Sequence, residues 1–153
     1  CNRGSGCLLN TNEIVEFRIN QYIKHGINLG YFPFERDNIC MAQHVNSFVI
    51  EPTGNIVKCW LDVGNENKVI GNVNQKSINK TLLTRYLSSC DTFSDKNCLK
   101  CNVLPVCGGG CIHNRIENHF YGKKHYICSS FKTHLKKHLN VAKEILLMNK
   151  KQE

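Results

Sequence analysis

Apolar residues recur along the chain with two different periods, and the changes of period mark out the elements. Ile14, Val15, Phe17, Ile19, Tyr22 and Ile23 fall at helical spacing over residues 10–26, with Asn10 and Glu13 placed as a capping box and Gly26 as the stop. Residues 27–32 then alternate in β fashion until Pro33. From Ser47 to Trp60 the pattern is that of a hairpin: Phe48-Val49-Ile50 and Ile56-Val57-Lys58-Cys59-Trp60 flank the turn Pro52-Thr53-Gly54-Asn55. Val69 to Val73 offers a third strand. A helix is predicted over 77–89, capped by Ser77, with Ile78, Leu82, Leu83 and Tyr86 on its buried face. The last long helix is predicted over 129–150. Phe131, Leu135, Leu139, Ala142, Ile145 and Leu146 form its apolar stripe, and Lys132, Lys136, Lys137, His138 and Lys143 its solvated face.

Between 90 and 128 the periodicity fades, apart from a short helix predicted from Cys111 to about His119, and Cys and Gly take over. A segment like that needs something other than a hydrophobic core to order it. Ten of the 153 residues are cysteine, under the roughly 8–10% that marks a short secreted disulfide scaffold. Seven of them stand in a defined order: Cys40, thirteen residues, Gly54, four residues, Cys59, then Cys98-x2-Cys101-x5-Cys107-x3-Cys111, and finally Cys128. Two thiols with two residues between them reach one centre from a single turn, which suits a metal or a cluster better than a disulfide ladder. In Cys107-Gly108-Gly109-Gly110-Cys111, three residues without a β-carbon let backbone pack against a bulky centre and turn N–H groups toward sulfur. Gly54 is expected simply to turn the hairpin, bringing Cys59 back beside Cys40. Cys90, Cys7 and Cys1 are left as spare thiols.

The formal net charge of +8 raises nucleic-acid and membrane contact, but the basic face of the last helix has no interleaved aromatic platform for bases. No apolar run approaches the ~20 residues of a spanning helix. Neither nucleic acid nor membrane is expected as a partner, and much of the excess reads as counter-charge to anionic thiolate centres. Lys58, Lys100, Arg115, Lys123 and Lys124 lie near the thiols in sequence and are expected to be ordinary solvated charges, although such groups can tune a cluster. His44, His113, His119 and His125 are expected as surface residues rather than ligands.

The order C-x13-G-x4-C, then C-x2-C-x5-C-x3-C, then C resembles the SPASM domain, the auxiliary iron–sulfur module of radical SAM enzymes that mature peptides and proteins. Residues 47–60 and the run Leu104-Pro105-Val106-Cys107-Gly108-Gly109-Gly110-Cys111 resemble that family's characteristic stretches. The resemblance implies a small Cys-rich α+β module over 36–153, with a β-hairpin, two cluster-binding loops and flanking helices. Residues 1–35 would be the C-terminal helix and strand of the preceding partial α/β barrel. It further implies two [4Fe–4S] clusters: Cys98, Cys101, Cys107 and Cys128 on one, and Cys40, Cys59 and Cys111 on the other. Some family members add a fourth ligand to the latter from just upstream; here Phe34, Glu35 and Arg36 stand in that stretch, so an open iron or a remote thiol is implied.

No C-x3-C-x2-C loop occurs, so the chain is not expected to bind S-adenosylmethionine or make a radical alone, and no catalytic residue is assigned. Without an initiator Met, charged n-region or apolar h-region, it offers no signal peptide to read, and it reads as a cytoplasmic piece of something longer. By resemblance the parent is a maturase of oxidoreductase type. S-adenosylmethionine would bind in the parent's own barrel, and a peptide or protein substrate and a reductant such as flavodoxin or ferredoxin would be partners. Four-thiolate structural zinc sites share the spacing and form the alternative. Within the class, a fragment of a sulfatase-maturating enzyme is the other reading.

Overall fold

Long helical spacing produces helices at both ends of the chain. A computed structural model describes residues 11–27 and 40–149. Asn10, Phe34 to Arg36, Cys1 and Cys7, and all but the first residue of the strand read at 27–32, lie outside the described residues. Two compact units are formed: one from 1–35 with 129–153, the other from 36–128.

In the first unit, α1 (Thr11–His25) and α6 (Ser130–Asn149) pack through buried Val15, Ile19 and Val141, with Tyr22 and Ile145 at the margin. Gly26 ends α1 as expected: its amide and that of Ile27 bond back to the carbonyls of Tyr22 and Gln21. One expectation for α6 is corrected. His138 is buried at 2% exposure rather than solvated, while Leu139 and Leu146, assigned to the stripe, are 45% and 48% exposed. His134, with a φ of −126° and a ψ of 23°, interrupts the helical run. Ala142 is buried and Ile145 packs on the core as the stripe predicts, so only Leu139 and Leu146 leave it.

The second unit holds a three-stranded antiparallel sheet of β1 (Val49–Ile50), β2 (Asn55–Val57) and β3 (Gly71–Asn72) in that order. Val49 faces Val57, Ile50 faces Ile56, and Ile56 faces Gly71. Gly54 turns the hairpin at a φ of +83°. The second strand is shorter than the spacing predicts. It ends at Val57, and Trp60–Asp62 curls into a 3₁₀ turn that leaves Trp60 71% exposed.

Four helices follow within this unit: α2 (Lys80–Ser88), α3 (Lys96–Leu99), α4 (Leu104–Cys107) and α5 (Ile112–Tyr121). Among the described residues the architecture is therefore α+β, with six α-helices and one small antiparallel sheet. α2 starts later than expected, and Asn79 rather than Ser77 caps it, its Oδ1 accepting from the Leu82 amide at 3.0 Å. Ile78 is bridged to Gly71, so this stretch stays extended along the sheet, and its side chain is 56% exposed rather than buried. α3 and α4 are too short to show a period, which is why the pattern does not reveal them. The core is Ala42, Cys59, Ile70, Leu82, Tyr86, Ile112 and Ile116. Among the described residues no helix is long and apolar enough to cross a membrane.

Polar groups are bolted into this small core. Asp62, 1% exposed, accepts from the Tyr86 hydroxyl and stands 3.1 Å from His113 Nε2. His113 is thus a half-buried partner of Asp62 and not the surface residue expected. Lys68 pairs with Glu117 across the core and lies 3.5 Å over the Tyr121 ring.

The buried His138 carries a pH prediction for the first unit. Burial, reinforced by the charges of Arg18 and His134, holds its pKa below the ordinary value. The unfolded chain therefore takes up the proton first. The stability this site contributes is intact above about pH 6.5 and is lost as pH falls toward the folded-state pKa. In urea unfolding across this range, His138→Gln is expected to flatten the acid-side loss of stability; an unchanged slope would show that the ring titrates as it does in water.

Candidate metal centre

The seven ordered cysteines are carried by two groups of elements. Cys40 precedes the 3₁₀ turn Met41–Gln43, Cys59 ends the hairpin in extended backbone, and Cys111 stands at the N-terminus of α5 without a side-chain capping bond. Each is tied to the same apolar cluster: Cys59 lies in it, Ala42 is two residues from Cys40, and Ile112 follows Cys111. The Cys59 thiol is pushed up to about 11, mainly by burial, with the nearby charges of Asp62, Cys111 and Cys40 adding to it. The fold therefore brings Cys40, Cys59 and Cys111 into one electrostatic neighbourhood.

The other neighbourhood surrounds α3, α4 and the glycine run. Cys98 and Cys101 lie on one turn, the Cys101 amide bonding to the Cys98 carbonyl at 2.9 Å. Cys107 ends α4, and Gly108, Gly109 and Gly110 follow with φ of +62°, +86° and +81°. A β-carbon on Gly109 would collide with the Thr92 side chain, and one on Gly110 with the carbonyl oxygen of Ile127. The same position lies 3.7 Å from the amide of Cys128, so the loop between Cys107 and Cys111 rests directly on the segment carrying Cys128. Only glycine combines the left-handed backbone with this approach.

Arg115 joins the parts of this second neighbourhood. Its Nε donates to the Gly109 carbonyl at 2.8 Å, its Nη1 to Asp95 Oδ2 at 2.9 Å and its Nη2 to Cys98 Sγ at 2.8 Å. Its side chain is 9% exposed, which corrects the expectation of a solvated charge. Burial raises the Cys98 thiol above its ordinary value, and the Arg115 charge opposes the rise. Asp95 is held low by the Asn97 amide and by Arg115.

Lys58 also departs from expectation. It is fully buried, donates to the carbonyls of Ser47 at 2.6 Å and of His44, and sits 4.6 Å from the Phe48 ring centroid. Lys100, Lys123 and Lys124 are exposed, as are His44 and His119. The spare thiol Cys90 packs against the core and lines a cavity of about 420 Å³ with Asp91, Asp95, Arg115 and His119. Spacing did not single out Asp62 or Asp95. The one available signal was Asp95 as an N-cap three residues before Cys98, its Oδ1 accepting from the Asn97 amide.

Among the described residues, no three His, Cys, Asp or Glu side chains form a group that could hold a single metal ion. Compared with protein-family models, with curated proteins and with solved structures, the chain matches none.

The glycine cradle carries a stability prediction. Gly110→Ala combines left-handed strain with steric overlap and is expected to cost on the order of 3 kcal/mol. Gly122→Ala, at a φ of +64° in open space, should cost only about 1 kcal/mol. Urea unfolding followed by circular dichroism compares them, and equal losses would show that the approach to Ile127 is not a rigid constraint.

Proposed function

We propose that residues 40–128 bind two [4Fe–4S] clusters and serve as the auxiliary domain of a radical SAM enzyme that modifies a peptide or protein. The observation that carries this reading is the neighbourhood of Cys40, Cys59 and Cys111. Three thiols far apart in sequence stand on elements that border one core, near enough for the charges of Cys40 and Cys111 to act on Cys59, which is consistent with the shared cluster that the SPASM resemblance implies. The donor set is all sulfur. The glycine run between Cys107 and Cys111 supports the same reading, because without β-carbons it packs directly on the segment that carries Cys128.

Cys98, Cys101, Cys107 and Cys128 would hold one cluster, with Arg115 fixing Cys98. Cys40, Cys59 and Cys111 would hold the other, whose fourth position stays open to substrate or to a remote thiol. The thiolates of a four-iron cluster each take a separate iron, whereas a zinc ion draws four donors to about 2.3 Å of one point. Bound clusters would supply single-electron transfer between a substrate held by the parent's barrel and a reductant such as flavodoxin or ferredoxin. The chain's own residues would bind the centres, with Cys59 and Cys107 buried and Cys40 exposed. A reducing cytoplasm is the compartment that suits such thiols.

The test is anaerobic reconstitution of the full chain, followed by iron, sulfide and zinc analysis with a visible spectrum of the same sample. About eight iron and eight sulfide per chain are expected, with the broad visible absorption of thiolate-bound clusters. Stoichiometric zinc without sulfide would overturn the reading in favour of a structural metal module.

Single substitutions then test the partition. Cys59→Ala and Cys101→Ala should each lose about half of the iron while the double variant loses nearly all. Full iron content in both single variants would refute the ligand sets.

A further inference from the structure

We propose that Arg115 is a positioning residue that holds the Cys98 sulfur and, with Asp95, sets the reduction potential of the centre Cys98 ligates; this rests on the cluster reading above. Arg115 lies one turn into α5, its amide bonded to the Cys111 carbonyl at 3.1 Å, and its side chain reaches back to the Cys-rich loops. The guanidinium distributes three donors to three acceptors on three segments: the Gly109 carbonyl in the glycine run, the Asp95 carboxylate before α3, and the Cys98 sulfur on α3. A lysine ammonium has the charge but not this fixed fork. Burying a cation is costly unless it is paired, and Asp95 supplies the pairing. Asp95 is itself placed by capping α3, and its Oδ2 lies 3.6 Å from the Cys98 sulfur, so carboxylate, guanidinium and sulfur all touch one another.

The consequence for redox chemistry follows from charge alone. Reduction adds one electron to the centre and makes it more negative. A cationic N–H donor on a ligating sulfur stabilises that added charge and raises the potential, while the neighbouring carboxylate opposes it. Removing Arg115 should therefore lower the potential, and neutralising Asp95 should raise it. A residue with a merely structural role would not give shifts of opposite sign.

The experiment is a potentiometric titration of the reconstituted full chain, with dithionite as reductant and electron paramagnetic resonance as readout, on wild type, Arg115→Gln and Asp95→Asn. Asparagine caps a helix about as well as aspartate, so Asp95→Asn should keep α3. The expected result is that one of the two midpoints moves down in Arg115→Gln and up in Asp95→Asn, with the other unmoved and iron content retained. Loaded variants with unmoved midpoints, or with shifts of the same sign, overturn the proposal alone. If Arg115→Gln loses the cluster, Asp95→Asn decides: a raised midpoint supports the proposal and an unmoved or lowered one overturns it. Wild-type chain that takes up no iron and sulfide overturns the cluster reading and this proposal with it.

Discussion

The approach of the Gly110 backbone to the carbonyl of Ile127 is the constraint on which the Cys-rich half of the second unit depends. It needs three successive left-handed residues, and it needs the chain to return across them after α5. That return is prepared locally. Gly122 ends α5, with the Lys123 amide bonded to the Glu117 carbonyl, and two asparagines of α5, four residues apart, then clamp the following strand of chain. Asn118 exchanges hydrogen bonds with the backbone of His125, and Asn114 donates to the carbonyl of Tyr126. Residues 127 and 128 are thereby laid on the glycine run, which places Cys128 beside the loop of Cys107 and Cys111. Side-chain amides and missing β-carbons, more than apolar burial, shape this region.

Charge is handled in the same unit by enclosure rather than by solvation. Lys58, Lys68, Asp62 and Arg115 all lie inside, each against a named partner. Such buried pairs are weak arguments for stability, since desolvation offsets most of the attraction, but they fix geometry because any displacement leaves a charge unpaired. Asp62 links the turn after Cys59 to α2 through Tyr86 and to α5 through His113. Lys68 fastens the turn before β3 to α5 through Glu117. The positive excess is therefore partly internal, and it cannot be read wholesale as a surface for an acidic partner.

Much of the fold was legible because the responsible physics is local. The hairpin around Gly54, the end of α1 at Gly26 and the start of α5 after Cys111 follow from turn chemistry and period, which act within a few residues. Errors arose where a local rule met a competing contact. Ser77 and Asn79 are both good caps, and the bridge between Ile78 and Gly71 selected the second. On α6 the stripe holds at Ala142 and Ile145, while Leu139 and Leu146 are exposed and His138 takes a buried place.

By itself the sequence determined the α+β character, the hairpin, the long helices and the spacing of the thiols, since each depends on propensity and period along the chain. Tertiary structure alone decided which charges are buried and what each of them meets. Cys98 and Arg115 are 17 residues apart, and Lys68 and Glu117 are 49 apart. No periodicity links such pairs. They meet because backbone returns, close glycine packing and the cost of an unpaired buried charge leave each few other places to go.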